Sequence, residues 1–393
     1  MMDADLALAK RIQSYNELNL KKCETEIYAL DKGNLPMDGE EIKKKLCRYK
    51  YSEEKMVDDY EREITPQYKT ALAEKLNLEH LPGQITPKCA LCVQNTNLRL
   101  YPTVYGCYKE KKKAIDYFAV SLVKIGERVL CWHKDISGKW YFIQTKNAWG
   151  WVGAHTLAFI NADSWQKIKN QEFIQVLAPQ MKLKNNNPLL FYGTRLPFLG
   201  VYANQYLAML PRRNKWGEAY FEKILLPLDG PLSVGVLVFT PQQIVLEGCK
   251  FLQEKYDWGG KHGGHDCTSL LGDIFRACGV NLASNSYKML LMSGVEPWEK
   301  NWNHEERLNK LSEINIGSIL LFKGHAMLYL GKRGDRESIL HSVYRLGQPV
   351  NGRFCSYDIN KTTIGDLSQY RENGKSLLES IEGSLDWFSL QMA

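Results

Sequence analysis

The chain has 393 residues, 44% hydrophobic and 11% aromatic, and a net charge of +7 from 51 Lys and Arg against 44 Asp and Glu. At roughly 100–200 residues per domain, that length allows two to four domains with real cores and excludes a disordered or fibrous chain. The charge is modest, and the basic runs EIKKKLCRYKY and YKEKKKAIDYF read as solvated faces, so nucleic acid is excluded as a partner.

No run approaches the ~18 apolar residues of a membrane span. The first residues, MMDADLALAKRIQSYNELNLKK, lack a basic region followed by an apolar one, so no signal peptide is read. The protein then stays inside, has lost a leader, or leaves by another route. The cysteine count is ten. An even number permits disulfides, but a chain of this size does not need them, and mostly free thiols are expected. CALC at 89–92 is a lone CxxC without a second pair nearby, and no metal site is assigned to it.

In chain order, residues 1–92 read as a helical region. LALAKRIQSYNELNLKKCETEIYAL and EEIKKKLCRYKYSEEKMVDDYEREI repeat apolar residues at three- and four-residue steps. From 93 to 162, short β-branched and aromatic runs such as ERVLCWHK and KWYFIQT, broken by turn residues, read as a small antiparallel β-barrel. Residues 163–239 repeat that texture, and a second barrel is expected. Residues 240–393 read as an α+β domain. Thr240 and Pro241 open its first helix as N-cap and first helical residue. The segment CTSLLGDIFRACGV is a second helix ending at Gly279. Strands follow in GSILLFK, HAMLYLGK and SILHSVYR. The tail after Thr362 receives no firm assignment beyond a closing strand or helix.

The chemistry concentrates in YDWGGKHGGHDCTSLLGDIF, residues 256–275. Cys267 falls at the mouth of a helix, where orphan N–H groups and the helix dipole favour a thiolate and are expected to lower its pKa. Glycines 259, 260, 263 and 264 are expected to leave its sulfur reachable. A thiolate nucleophile needs a base and an orienting group. His325 and His341 lie on consecutive strands, where one imidazole can face the sulfur while the other fixes its tautomer. The competing readings are a small core cysteine, two ordinary sheet histidines, and a metal cluster of His262, His265, Asp266 and Cys267. The ordered combination of helix-opening Cys and two strand histidines favours the nucleophile.

These segments resemble the NlpC/P60 cysteine peptidases, papain-like cell-wall hydrolases. The resemblance lies in YDWGG, HDCTSLLGDIFRACGV, GSILLFKGHAMLYLGK and ILHSVYR. LRLYPT with LVKIGERVLCWHKDISGKWYFIQTKNAWGWV, and LLFYGTRLPF with VGVLVFT, resemble two bacterial SH3 modules. The implied fold is α+β and multidomain: a helical N-terminal segment, two SH3-like barrels and a papain-like C-terminal domain.

By position, the resemblance implies Cys267 as nucleophile, His325 as general base and His341 as orienting residue. It implies substrate contacts from Tyr256, Asp266 and Ser286. Tyr117, from the first barrel, is a further candidate contact. Trp258 is expected to pack in the core. No cofactor or metal is implied. The implied reaction is cleavage of the γ-D-glutamyl–diamino acid bond of murein peptides with a free N-terminal L-alanine. It is implied for a monomer acting in the periplasm or cell wall, with a cytoplasmic or exported-effector setting as the alternative. Thr268-Ser269 replaces the family's Ser-Gly, and Ala283-Ser284 replaces its Pro-Arg, which removes a cation. The alternative functions are a papain-like acyltransferase or amidase on another substrate, and a non-enzymatic murein-binding protein.

Overall fold

In the computed structural model, residues 2–22, 35–48, 54–109, 114–183 and 187–390 are described. They fall into two compact units. One comprises Thr25–Gly235 with Asp257–Gly263; the other comprises Met1–Glu24, Val236–Tyr256 and Gly264–Ala393. The first helix, α1 (Met2–Lys22), belongs to the second unit. The end of the expected first helical run, residues 23–30, lies outside the described residues.

In the first unit, α2 (Gly39–Leu46) opens at Asp38, whose carboxylate accepts from the Glu40 N–H. Helix α3 (Pro66–Lys75) opens at Thr65, with Pro66 in its first turn, where a missing N–H has no cost. Between them the expected helical run fails. Met56–Val57 pairs with Tyr108–Lys109 instead. The Asp58 carboxylate accepts from the Tyr60 and Arg62 N–H groups, and this local side-chain bonding turns the chain rather than letting it coil.

Seven strands then form one antiparallel sheet: β1 (Lys88–Cys92), β2 (Thr96–Arg99), β3 (Ala119–Val123), β4 (Arg128–Lys134), β5 (Trp140–Gln144), β6 (Trp149–Gly153) and β7 (Leu157–Phe159). Their order is β7-β1-β4-β5-β6-β2-β3. The sheet starts at Lys88, inside the region that reads as helical to residue 92. Because side chains alternate along a strand, Cys89 and Cys92 point to opposite faces. Cys89 joins a cluster with Trp149 and Trp151, and Cys92 joins one with Val129 and Ile143. Two sulfurs on opposite faces of one strand cannot form half of a metal or redox site.

Helix α4 (Ala162–Asn170) leads into a five-stranded sheet of β8 (Phe173–Val176), β9 (Arg195–Tyr202), β10 (Gln205–Arg213), β11 (Ala219–Pro227) and β12 (Leu232–Val234). Its order is β11-β10-β9-β8-β12, around a small aliphatic core of Ile174, Val176, Leu196, Leu210 and Leu226.

After α1, the second unit resumes with α5 (Pro241–Cys249), capped by Thr240 as expected. Helices α6 (Cys267–Ala277), α7 (Ser286–Met289), α8 (His304–Ser312) and α9 (Leu377–Ser380) complete its helical part with α1. Its antiparallel sheet contains β13 (Val295–Pro297), β14 (Ile319–Phe322), β15 (His325–Arg333), β16 (Arg336–Val350), β17 (Arg353–Asp366) and β18 (Gly383–Leu385), in the order β13-β18-β14-β15-β16-β17. The unassigned tail thus supplies the end of the long edge strand β17, which begins before it, and the inserted strand β18. Helix α6 packs on α5, β15 and β16.

Asn16 ties α1 to the end of α6. Its Nδ2 donates to the Gly279 carbonyl at 2.9 Å, and its Oδ1 accepts from the Asn281 N–H at 2.9 Å. Tyr15, fully buried, packs edge-on to Trp387. Asn16→Ala leaves one backbone donor and one acceptor without these partners. It is expected to destabilise the second unit by about 1–3 kcal/mol, read as a lower melting temperature with unchanged circular dichroism.

Candidate active site

Helix α6 begins at Cys267 because Asp266 caps it. Asp266 Oδ1 accepts from the Thr268 and Ser269 N–H groups at 3.0 and 2.8 Å. The Asp266 N–H donates to Ser269 Oγ at 2.9 Å, which closes a capping box. Ser269 therefore completes the helix start. Leu270, Leu271, Ile274 and Phe275 form the buried stripe of α6. Cys267 is three and four residues before Leu270 and Leu271, so it lies on the same inward stripe. The Ala326 N–H, at the start of β15, is hydrogen-bonded to the thiol.

His325 opens β15, and His341 lies in β16. The register pairs Leu328 with Leu340, which makes the two histidines diagonal neighbours on one face. His325 Nε2 stands 3.0 Å from His341 Nδ1, with ring centroids 5.2 Å apart. Both rings are buried. This contact takes up Nε2 of His325 and leaves Nδ1 as its second functional nitrogen. Ser286 supports the turn before His325, since its Oγ accepts from the Gly324 N–H at 2.9 Å.

Burial dominates the electrostatics. It pushes the Cys267 thiol up to about 12, reinforced by the Asp266 charge and opposed by the Ala326, Thr268 and Cys267 N–H groups. This reverses the expected lowering: the helix N-terminus favours the thiolate, but desolvation outweighs it. Burial, then His341, then Arg371 hold His325 well below the usual histidine range. Burial alone lowers His341 to about 4. At neutral pH the three side chains rest as a thiol and two neutral imidazoles.

The second unit thus brings together Cys267, Asp266, His325, His341 and Ser286. Tyr256, half-buried in the same unit, pairs with Tyr344 at 5.9 Å, and its backbone bridges to His265. Tyr117 belongs to the first unit, in the turn before β3, where its N–H bonds the Cys107 carbonyl. The glycines have a different use from the one expected. Gly260 and Gly263 take φ of 64° and 86°, which glycine adopts without strain. A Cβ at Gly260 would lie 3.0 Å from Leu122, and one at Gly263 only 2.3 Å from the Phe191 ring. They serve close packing inside the first unit.

Neither loop histidine matches the metal reading. His262 Nδ1 meets Asp257 at 3.0 Å. His265 places Nδ1 on Glu254 at 2.8 Å and Nε2 on Asp273 at 3.0 Å. Two carboxylates on two ring nitrogens require an imidazolium. The sequence reading missed this cluster because its members are spread over residues 254–273, on the turn after α5, the loop before α6 and α6 itself. It also missed Arg371, whose guanidinium lies over the Phe322 ring at 4.5 Å; Phe322 in turn packs on His325.

With this geometry established, residues 253–352 match the NlpC/P60 family, a family of cysteine peptidases. Residues 109–153 match the SH3 domain of SH3b1 type. The chain therefore carries an NlpC/P60 domain and an SH3b-type domain in a multidomain α+β fold. Among solved structures, it is similar to an NlpC/P60 endopeptidase from Photobacterium damselae subsp. piscicida, with TM-score 0.75, 16% identity, and 95% of this chain and 91% of that one covered. It is also similar to an NlpC/P60 family protein from Bacillus cereus ATCC 10987, with TM-score 0.52, 16% identity, and 76% and 98% covered. No curated protein matches the chain in sequence. Among the described residues, no helix is long and apolar enough to cross a membrane.

The His265 cluster has a signed pH dependence. Burial opposes its charge, but Asp273 and Glu254 prevail and raise His265 to about 9, against about 6.5 when unfolded. Its stabilisation is complete below about pH 6.5 and is lost as pH rises through about 9. His265→Gln is therefore expected to lower the melting temperature most at pH 6, with the gap to wild type closing by pH 9.5.

Proposed function

We propose that the second unit hydrolyses murein peptides at the amide between the γ-carbonyl of D-glutamate and the following diamino acid. The observation that carries this reading is the placement of Cys267 at the capped start of α6, against the start of β15, whose His325 pairs with His341 of β16. In this reading Cys267 Sγ gives its proton to His325 Nδ1 and attacks the carbonyl carbon. The carbon–nitrogen bond breaks as the His325 imidazolium protonates the departing amine. Water, deprotonated by His325, then cleaves the thioester and restores the thiol. The Cys267 N–H, with Tyr256, meets the oxyanion. His341 orients His325.

Asp266 places a negative charge beside the nucleophile, suited to the ammonium of an N-terminal L-alanine. Its Oδ1 is already engaged by the helix cap, which holds the carboxylate in place. Ser286, fixed by Gly324, keeps a hydroxyl proton to donate to the peptide. Arg371 supplies a cation near His325, which offsets the one lost at Ala283-Ser284. The SH3b-type domain belongs to a class suited to binding peptidoglycan. The reading includes a monomer working in the periplasm or cell wall without a cofactor.

Mass spectrometry of products from free L-Ala-γ-D-Glu-diaminopimelate, and from the same peptide attached to muramic acid, tests this reading. Release of diaminopimelate from the free peptide alone is expected, with none from Cys267→Ala. His325→Ala is expected to lower the rate by about 10²–10⁴-fold. Cutting of both peptides keeps the peptidase and removes the amine preference. Cutting of neither, with Cys267 still alkylated by a thiol probe, transfers the site to another acyl substrate.

A further inference from the structure

The relay described above ends on an unmet nitrogen. His341 Nδ1 faces His325, but His341 Nε2 is buried without a hydrogen-bond partner among the described residues. A second buried orphan is Gln369 Oε1. Gly365 of β17, paired with Ile339 of β16, brings the two together. A Cβ on Gly365 would sit 2.2 Å from Gln369 Oε1 and 3.3 Å from His341 Nε2, so both atoms border the space that the missing side chain leaves open. The Gln369 backbone is fixed in the turn after β17. Its N–H donates to the Asp366 carbonyl at 3.2 Å, and its carbonyl accepts from the Leu377 N–H at 2.7 Å.

We propose that Gln369 is the outer positioning residue of the Cys267–His325–His341 site, its Oε1 accepting the proton of His341 Nε2 directly or through one water. Two buried orphans of complementary type are each costly alone and satisfied together. One water spans such a gap at little loss.

The consequence is a tautomer. Neutral imidazole carries one N–H. With that proton on His341 Nε2, His341 Nδ1 is an acceptor and takes the Nε2–H of His325. The lone pair of His325 is then on Nδ1, the nitrogen left for the thiol proton. With the proton on His341 Nδ1 the order reverses, His325 carries its proton on Nδ1, and it cannot act as a base there. A carbonyl oxygen at His341 Nε2 accepts and never donates, so it selects the productive arrangement. Gly365 keeps the space between them open.

The inference rests on the proposed roles of His325 and His341, and its primary test is independent of substrate. Nitrogen-15 chemical shifts of histidine-labelled full-length protein report which nitrogen of His341 holds the proton. The wild type is expected to show it on Nε2. Gln369→Met, similar in shape but without the amide acceptor, and Gln369→Leu are expected to show a mixed or reversed tautomer at unchanged fold by circular dichroism. On a cleaved peptide the same variants are expected to lose about tenfold in kcat, the worth of roughly one net hydrogen bond, with KM little changed. Gln369→Glu, which keeps an acceptor, is expected to restore both. A wild-type proton on His341 Nδ1, or a wild-type tautomer in either Gln369→Met or Gln369→Leu, overturns the proposal. If the wild type cuts no peptide, the peptidase reading fails while the nitrogen shifts still decide this one.

Discussion

The contact of two imidazoles, 3.0 Å from nitrogen to nitrogen, is the constraint on which the candidate site depends. It exists because β15 and β16 pair antiparallel in a register that makes His325 and His341 diagonal neighbours on one face. A slip of one residue would send one ring to the opposite face. Much of the second unit guards that register. The long pairing of β16 with β17 runs from Ser338 opposite Asp366 to Val350 opposite Arg353. Ile339, Val343 and Met327 bury their side chains in the same cluster. Ser286 holds the turn where β15 starts. The contact specifies which nitrogen of His325 remains available, and the side of α6 that bears Cys267 faces the strand on which that ring sits.

A second anchor lies on the chain just before the thiol. His265 joins Glu254, after α5, to Asp273, within α6, while its carbonyl accepts from Ser342 Oγ beside His341. The ring also meets Phe251 edge-on at 4.6 Å. One buried imidazolium therefore joins the chain before Cys267, the helix that Cys267 opens and the strand of His341. A buried charge of this kind is tolerated only when fully paired. Here both ring nitrogens are paired, so the cluster resists the small shifts that would misplace the cap at Asp266.

Much of this was legible in the sequence because it is local. Thr240-Pro241 announces a helix start through a side chain that reaches a backbone N–H a few residues on. The strands bearing His325 and His341 announce themselves by apolar content and turn residues. What was illegible depends on partners distant in sequence. Nothing around Gly260 or Gly263 says that Leu122 and Phe191 press on them. Nothing in EEKMVDDYEREI says that Asp58 will bend its own backbone, since the charged pattern fits a helix equally well. β17 was hidden for the same reason: its side chains are mostly exposed or half-buried, and it is a strand because β16 is beside it. Gln369 has no local signature at all, as its meaning comes from a glycine four residues back and a histidine on another strand.

The charge state of the site follows from burial rather than from the helix end that the sequence emphasises. Desolvation raises the thiol and lowers both imidazoles, so each group taken alone prefers to be neutral. A proton can leave Cys267 at modest cost only if the resulting pair of charges is formed at contact, with thiolate and imidazolium stabilising each other. The N–H groups of Cys267, Thr268 and Ala326 already lean toward the sulfur and favour its negative form. They belong to a capped helix and a paired strand, so they require no rearrangement when charge appears.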